Sequence, residues 1–553
     1  MKRLLLSAAL LPSFLASAMA GSATWNAAPV DSNWNNPANW TPQTVPNGPD
    51  DVATFATSNI TEVTFHNTGG YSIEVNAIVF TPGASPFSIN PTGRSITVSG
   101  TGVINNSGIT QNFVIDLPLP AGNVVFTGSA TSGDLGQYTL NGGTHLGTYG
   151  FSFYDTATAA TSTFVINGGT DGTNNQSGLL VFRDDSSAEN ATIILNGSGS
   201  GAFGGKCDFN DTSTASHAHI FANGATISGG SGGFVLFEYA TATADQAVIT
   251  AGGSDVGGGG GVSFEDSASA ANATLIAESG QSQGGAIGFS FLGNPTGGTS
   301  AIKLLGNATL SSAPDSVEIG SLEGEGTVTL GFLTGSNLSV GTNNLSTIFS
   351  GVIEEDRSGA ISTLTKIGVG TLKLSGANTY TGGTVVEEGK LIIGNSTGSA
   401  TGMGPVQVNG GTFGGKGIAS GSVTIGTGGK SGAILAPGAA GSVPTVLTLQ
   451  GNLTFKSDGT YTWKLNTNKA KGDQVIASGV TIEAGAQFDF NAVGNKKLTI
   501  GKVFTAISNT AASSINGTFA NLTDDSTVTV GVNKLQVSYS GGDGNDLTLT
   551  VVQ

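Results

Sequence analysis

Phe126, Phe153, Phe182, Phe209, Phe237, Phe264 and Phe291 recur at intervals of 27, 29, 27, 28, 27 and 27 residues. A near-constant period with one large aromatic per unit marks a stacked repeat, in which each unit buries its apolar face only against its neighbours. A second marker keeps step: stretches 138–141, 164–167, 193–196 and 220–223 each close a short apolar alternation with an asparagine followed by glycine. Later copies at 247–252 and 273–278 keep the alternation and lose the asparagine. No stretch of ten or more residues shows a 3.6-residue period, so a helical repeat is excluded. Asn-Gly also closes hairpins, which makes an antiparallel meander the rival. The constant period favours the solenoid, because it lets the rings stack along one interior axis. At about 4.8 Å per coil, the seven anchored units would supply on the order of 30 Å of rod.

Composition agrees with a coil that turns often and faces water. Glycine supplies 88 of 553 residues, roughly twice the usual share of ~7%. Charged residues are only 10%, against about 25% in ordinary domains. Thr, Ser and Asn therefore do the solvating. Cys207 is the sole cysteine, so no disulfide within the chain can staple the fold, and its place just before Phe209 reads as a buried small hydrophobe.

Residues 1–20 read as a secretory leader: Lys2 and Arg3, the apolar run 4–15, then Ala18, Met19 and Ala20 before Gly21. After it, no apolar run approaches the roughly 20 residues of a spanning helix, so no transmembrane anchor is expected. Removing Lys2 and Arg3 from the 20 basic residues leaves 18 against 37 acidic ones, a net charge of −19. With no basic stripe to neutralise phosphates, nucleic acid is not an expected partner.

Residues 21–92 hold three of the four tryptophans, Trp25, Trp34 and Trp40, among Asn, Pro and Gly turns. The first coil of a solenoid has an open face and unpaired edges, so this segment reads as an N-terminal cap. The functional alternative is that the three indoles are ligand-binding residues that stack on sugar rings. Residues 93–315 then form the repeat of 27–29-residue units.

From 316 onward the pattern changes. The stretch 364–394, LTKIGVGTLKLSGANTYTGGTVVEEGKLIIG, places short strands at 364–367, 371–374, 384–386 and 391–393 with glycines at the bends, and Leu372, Lys373, Leu374 read in, out, in. Together with 319–331, 338–353, 406–417 and 432–438, it resembles the autotransporter-associated β-strand repeat, also called the passenger-associated transport repeat. The resemblance covers 316 to the end, with the repeat proper over 316–446 and a C-terminal β-rich closing region over 447–553. It implies an all-β, right-handed parallel β-helix (solenoid) on a secreted or cell-surface protein of a Gram-negative-type bacterium, with the repeat aiding export or folding of the rod. Members of this kind end in a membrane barrel of roughly 250 or more residues. The strands before Gln553 leave no room for one, so a barrel-less secreted type is expected.

Sites with chemistry are few. His217 and His219 lie two apart on a strand near Asp208 and Asp211, a geometry open to zinc. However, His219 occupies the outward register of Thr192 and Thr274, so no metal is expected. The run 541–547 resembles one turn of a calcium β-roll, but a single copy reads as a terminal turn. Adjacent acids such as Asp50/Asp51, Asp184/Asp185 and Glu354/Glu355 point to opposite faces of a strand, and Asp155, Asp184, Asp211 and Asp266 recur after the Phe anchors as turn residues. No catalytic residue and no cofactor is expected. The reading is a non-enzymatic structural or adhesion rod whose partners are extracellular polysaccharide, surface proteins or its own kind. A polysaccharide-binding module and a β-helix hydrolase or lyase are the alternatives. Three or more carboxylates converging in one groove would favour the last.

Overall fold

In the computed structural model the described residues are 21–65, 72–91, 93–116, 122–142, 150–170, 177–332, 334–356, 359–430, 432–441 and 443–553; the leader expected over 1–20 lies outside them. Three ladders of short strands form the faces of a parallel β-helix. The first starts at Ala23–Trp25 and Gly48–Phe55 and passes through Ile73–Phe80 and Ile96–Asn105 to Val352–Glu355. Backbone bonds from Thr379 to Ile353 (3.0 Å) and from Ala400 to Ile418 (3.0 Å) carry it on to Ile418–Ala419. The second ladder runs from Glu62–Thr64 to Gln487–Val493. The third begins as single-residue parallel bridges, Gly102 through Thr131, Thr158, Ser187, Thr214, Thr243 and Ser269 to Thr296. Full strands then take over, from Ser316–Ile319 to Val480–Ile482. Parallel coil-to-coil pairing settles the choice against the antiparallel meander.

The aromatic period fills the interior. Phe126, Phe153, Phe182, Phe209, Phe237 and Phe264 stand in register on the first face. Their rings stack at 4.7–4.8 Å, with planes 5–9° from parallel. That distance is the strand spacing itself, so a ring on each coil fills the column without strain. Each buried ring contributes about 1.5–3 kcal/mol of burial. The last member differs from expectation. Phe264 pairs with Phe289, not Phe291, and the rings stack at 5.3 Å. A register shift between Phe264 and Asp266 follows, which leaves Phe291 44% exposed and stacked on Phe332 at 4.6 Å.

Two polar columns follow the same spacing. Asn167 Nδ2 donates to Asn141 Oδ1 (2.9 Å), Asn196 Nδ2 to Asn167 Oδ1 (2.7 Å) and Asn223 Nδ2 to Asn196 Oδ1 (2.9 Å). At the turns after Phe153, Phe182, Phe209 and Phe264, Asp155, Asp184, Asp211 and Asp266 adopt φ of 51–58°, the left-handed conformation that Asp tolerates better than most residues. Their carboxylates accept from backbone N–H groups of the preceding coil, as Asp155 does from Gly128 (2.8 Å) and Asp184 from Asp155 (3.0 Å).

Around residue 364 the strands are Thr363–Lys366, Thr371–Leu374, Gly383–Val386 and Lys390–Ile393. They lie within one residue of the expected bounds. Leu372 and Leu374 are buried, with Lys373 turned outward. Parallel pairing persists past 447 to Val475–Ile507, and the chain closes with an antiparallel meander of Val503–Asn509, Asp546–Val551, Asn533–Gly541 and Thr527–Val530. Among the described residues no helix is long and apolar enough to cross a membrane.

Candidate functional site

The alternative reading of the three tryptophans, as sugar platforms, finds no open ring. Trp25, Trp34 and Trp40 are 1%, 0% and 0% exposed. Trp40 packs edge-on against Trp25 (5.1 Å) and Trp34 (4.9 Å), and Trp34 stacks on Phe65 at 5.0 Å. Their indole N–H groups donate to the carbonyls of Ile60, Pro46 and Trp34. With both the faces and the polar edges taken up inside the protein, no ring is open to a ligand. The three residues plug the end of the helix instead.

The other sequence candidates fall into structural roles. His217 and His219 are both exposed, and His219 sits between Thr192 and Val248 on the second face. Among the described residues no group of three His, Cys, Asp or Glu is placed to hold a metal ion. Cys207 is buried between Leu180 and Val235, and burial holds its thiol pKa well above the usual range. Asp185 accepts from Thr212 Oγ1 on the next coil. Glu355 accepts from Ser362 N (2.7 Å) and Thr381 N (2.9 Å), tying two turns together. In the run 541–547, Gly541 pairs with Asp546 across a hairpin, and Asp546 accepts from Asn509 N at 2.9 Å.

One open groove on the first face was not foreseen. Glycine-rich loops joining the second face back to the first project beside the outward residues of three coils. They enclose a cavity of about 520 Å³ lined by Phe203, Lys206, Phe234, Gln283 and the backbone around Gly232 and Gly259. Phe203 is 56% and Phe234 37% exposed. Only the outward positions of the repeat could have signalled it, where Lys206 and Phe234 replace Leu179 and Gly261. Beside the groove, Lys206 Nζ lies 3.0 Å from Asp208. Burial raises the pKa of Asp208 despite that lysine. Glu238 is also raised, first by burial and then by Asp208, with Glu265 and Asp266 adding to it. Carboxylates from three adjacent coils thus gather here, but Asp208 is 7% exposed and ion-paired, which removes it from reach of a substrate.

The stretch around 364 owes its lysine to the turn geometry. Lys366 points inward at a strand end, 1% exposed, and its ammonium donates to the carbonyls of Ile367 (2.5 Å), Gly368 (2.6 Å) and Glu388 (3.3 Å). Gly368 adopts φ 66°, which turns its carbonyl toward that amine. Burial lowers the Lys366 pKa to about 8.

Among curated proteins no relative matches the chain. Among solved structures, the Haemophilus influenzae Hap adhesin is similar at 13% identity and a TM-score of 0.30, over 91% of this chain and 63% of that one. The chain therefore spans less than two thirds of the adhesin's length. Residues 364–393 match the passenger-associated-transport-repeat family. The chain is thus an all-β parallel β-helix that carries a passenger-associated transport repeat across consecutive coils of its C-terminal half.

Proposed function

We propose that this chain is an extracellular, non-enzymatic β-helical rod with an adhesive role, displayed at or released from the surface of a Gram-negative-type bacterium. The observation that carries this reading is the passenger-associated transport repeat at 364–393, set in register inside an uninterrupted parallel ladder. The repeat helps the rod fold as it is exported: stacking is quasi-one-dimensional, so a regular coil templates the next. Expression with residues 1–20 in a Gram-negative host tests the reading. The rod is expected outside the cell in protease-resistant form, and cells bearing it are expected to adhere or clump. Excision of 364–393 should lower the exported, protease-resistant fraction. Retention of the intact chain in the cytoplasm, or an unchanged fraction after excision, would refute the respective half of the proposal.

A second reading, a polysaccharide-binding module, is supported by the first-face groove with Phe203 and Phe234. It predicts glycan binding that is lost in a Phe203→Ala, Phe234→Ala variant with intact folding.

A further inference from the structure

The second face of the repeat-bearing half carries a trough, whereas Lys206 and Phe234 of the other groove stand on strands of the first face. Three cavities of about 400, 620 and 210 Å³ adjoin here: the first shares Lys390 with the second and Lys373 and Ile392 with the third, and the second and third share Gly441. Lys373 and Lys390 stand at outward positions of the paired strands Thr371–Leu374 and Lys390–Ile393. Lys416 follows the next strand, Thr412–Gly415. Lys390 pairs with Thr371 and Thr412, Lys373 pairs with Ile392, and Lys416 lies just past the Ile393–Gly415 pair, so the three lysines spread over one face at different strand positions on three adjacent coils. Among the described residues none of the three makes an ion pair.

The floor is open because glycines line it. Gly394, Gly415, Gly438 and Gly441 line the cavities, and a Cβ at Gly394 would lie 3.2 Å from Lys373 Cε. The carboxylate beneath, Asp473, is engaged. It accepts from the backbone N–H groups of Gly438 (3.0 Å), Thr445 (2.8 Å) and Lys464 (3.2 Å). Lys464, in turn, donates to the carbonyls of Gly438 and Gly441. The trough is thus a cationic strip on a chain of net charge −17, a setting that focuses attraction for an anion at one place.

We propose that this trough binds an extended anionic polysaccharide. Carboxylate groups of the glycan meet Lys373, Lys390 and Lys416, and its hydroxyls meet Thr412, Thr462 and Asn491, which line the central cavity. An acidic peptide fits less well: an extended peptide binds by pairing with a free sheet edge, and the strands here are paired on both sides. A duplex nucleic acid brings one charge per ~1.7 Å, more than three lysines on an acidic rod can neutralise. The proposal names a glycan site separate from the Phe203 groove, and rests on the extracellular reading only for access to such a glycan.

The test uses the purified chain without residues 1–20, with polygalacturonate as probe and neutral dextran as control, at low and at roughly physiological salt. Saturable binding to polygalacturonate that weakens with salt, is absent with dextran and falls at least tenfold in a Lys373→Gln, Lys390→Gln, Lys416→Gln variant of unchanged unfolding temperature is the expected result. The Phe203→Ala, Phe234→Ala variant should bind like the parent. No binding, equal binding to dextran, equal binding by the triple variant, or loss in the Phe variant instead would each overturn the proposal. None of these outcomes bears on surface display, which the export experiment reads separately.

Discussion

The rings of Phe182 and Phe209 lie 4.8 Å apart with planes 5° from parallel, although 27 residues separate them in sequence. The pair repeats the spacing of the strands that carry it, so each ring is both a core residue and a register pin. Phe209→Ala would leave a void between two stacked rings and is expected to cost about 3–5 kcal/mol. Because coils touch only their neighbours, hydrogen exchange should rise in coils 179–237 and not near residue 480. Uniform acceleration along the rod would contradict this.

Asn196 gives one ladder bond and receives another, whereas Asn223 only gives, since Gly252 follows it on the next coil. Asn196→Ala therefore strands two neighbours and Asn223→Ala one. The expected losses are about 2 and about 1 kcal/mol, read from denaturant midpoints at constant slope. Equal losses would show that the side-chain column is not a chain of dependent bonds.

Lys366 carries a pH dependence whose sign follows from its lowered pKa of about 8. Below that pH both folded and unfolded chains hold the proton. Between there and the ordinary lysine range near ~10.4, the unfolded chain binds it and the folded chain does not, so stability from this group rises with pH. Lys366→Met should destabilise at pH 7 by about 1–3 kcal/mol through unpaired carbonyls and should remove that rise. A parent and variant with parallel stability profiles from pH 7.5 to 9.5 would refute it.

Trp25, Trp34 and Trp40 should emit in the blue and resist acrylamide quenching, because all three are buried. Trp34→Ala is expected to cost about 3–5 kcal/mol and to open the chain to proteolysis near residue 48 first. Rapid quenching in the folded parent would show the plug to be open.

The repeat was readable because one interior column tolerates little besides a large aromatic, and a change of coil length by one or two residues is absorbed in loops. The same tolerance explains the error at the last anchor. Phe289 and Phe291 are two apart and so share a strand face, which leaves pattern unable to choose between them. Hydrogen bonding to Phe264 and the register shift after it place Phe289 inside. The inward Lys366 was likewise hidden, since a lysine in an alternating strand reads as outward until the turn carbonyls that receive it are placed.

Period, glycine content and the 364–394 pattern determined the fold class and the strand positions, because a stacked coil repeats one local environment and writes it into every unit. Exposure could not be written that way. Whether an indole face is open, whether Phe203 and Phe234 flank a groove, and whether Lys373, Lys390 and Lys416 share a trough depend on neighbours 20 or more residues away or on loops with no side chains to mark them. Stacking brought those residues together, and the distances between coils decided what each could touch.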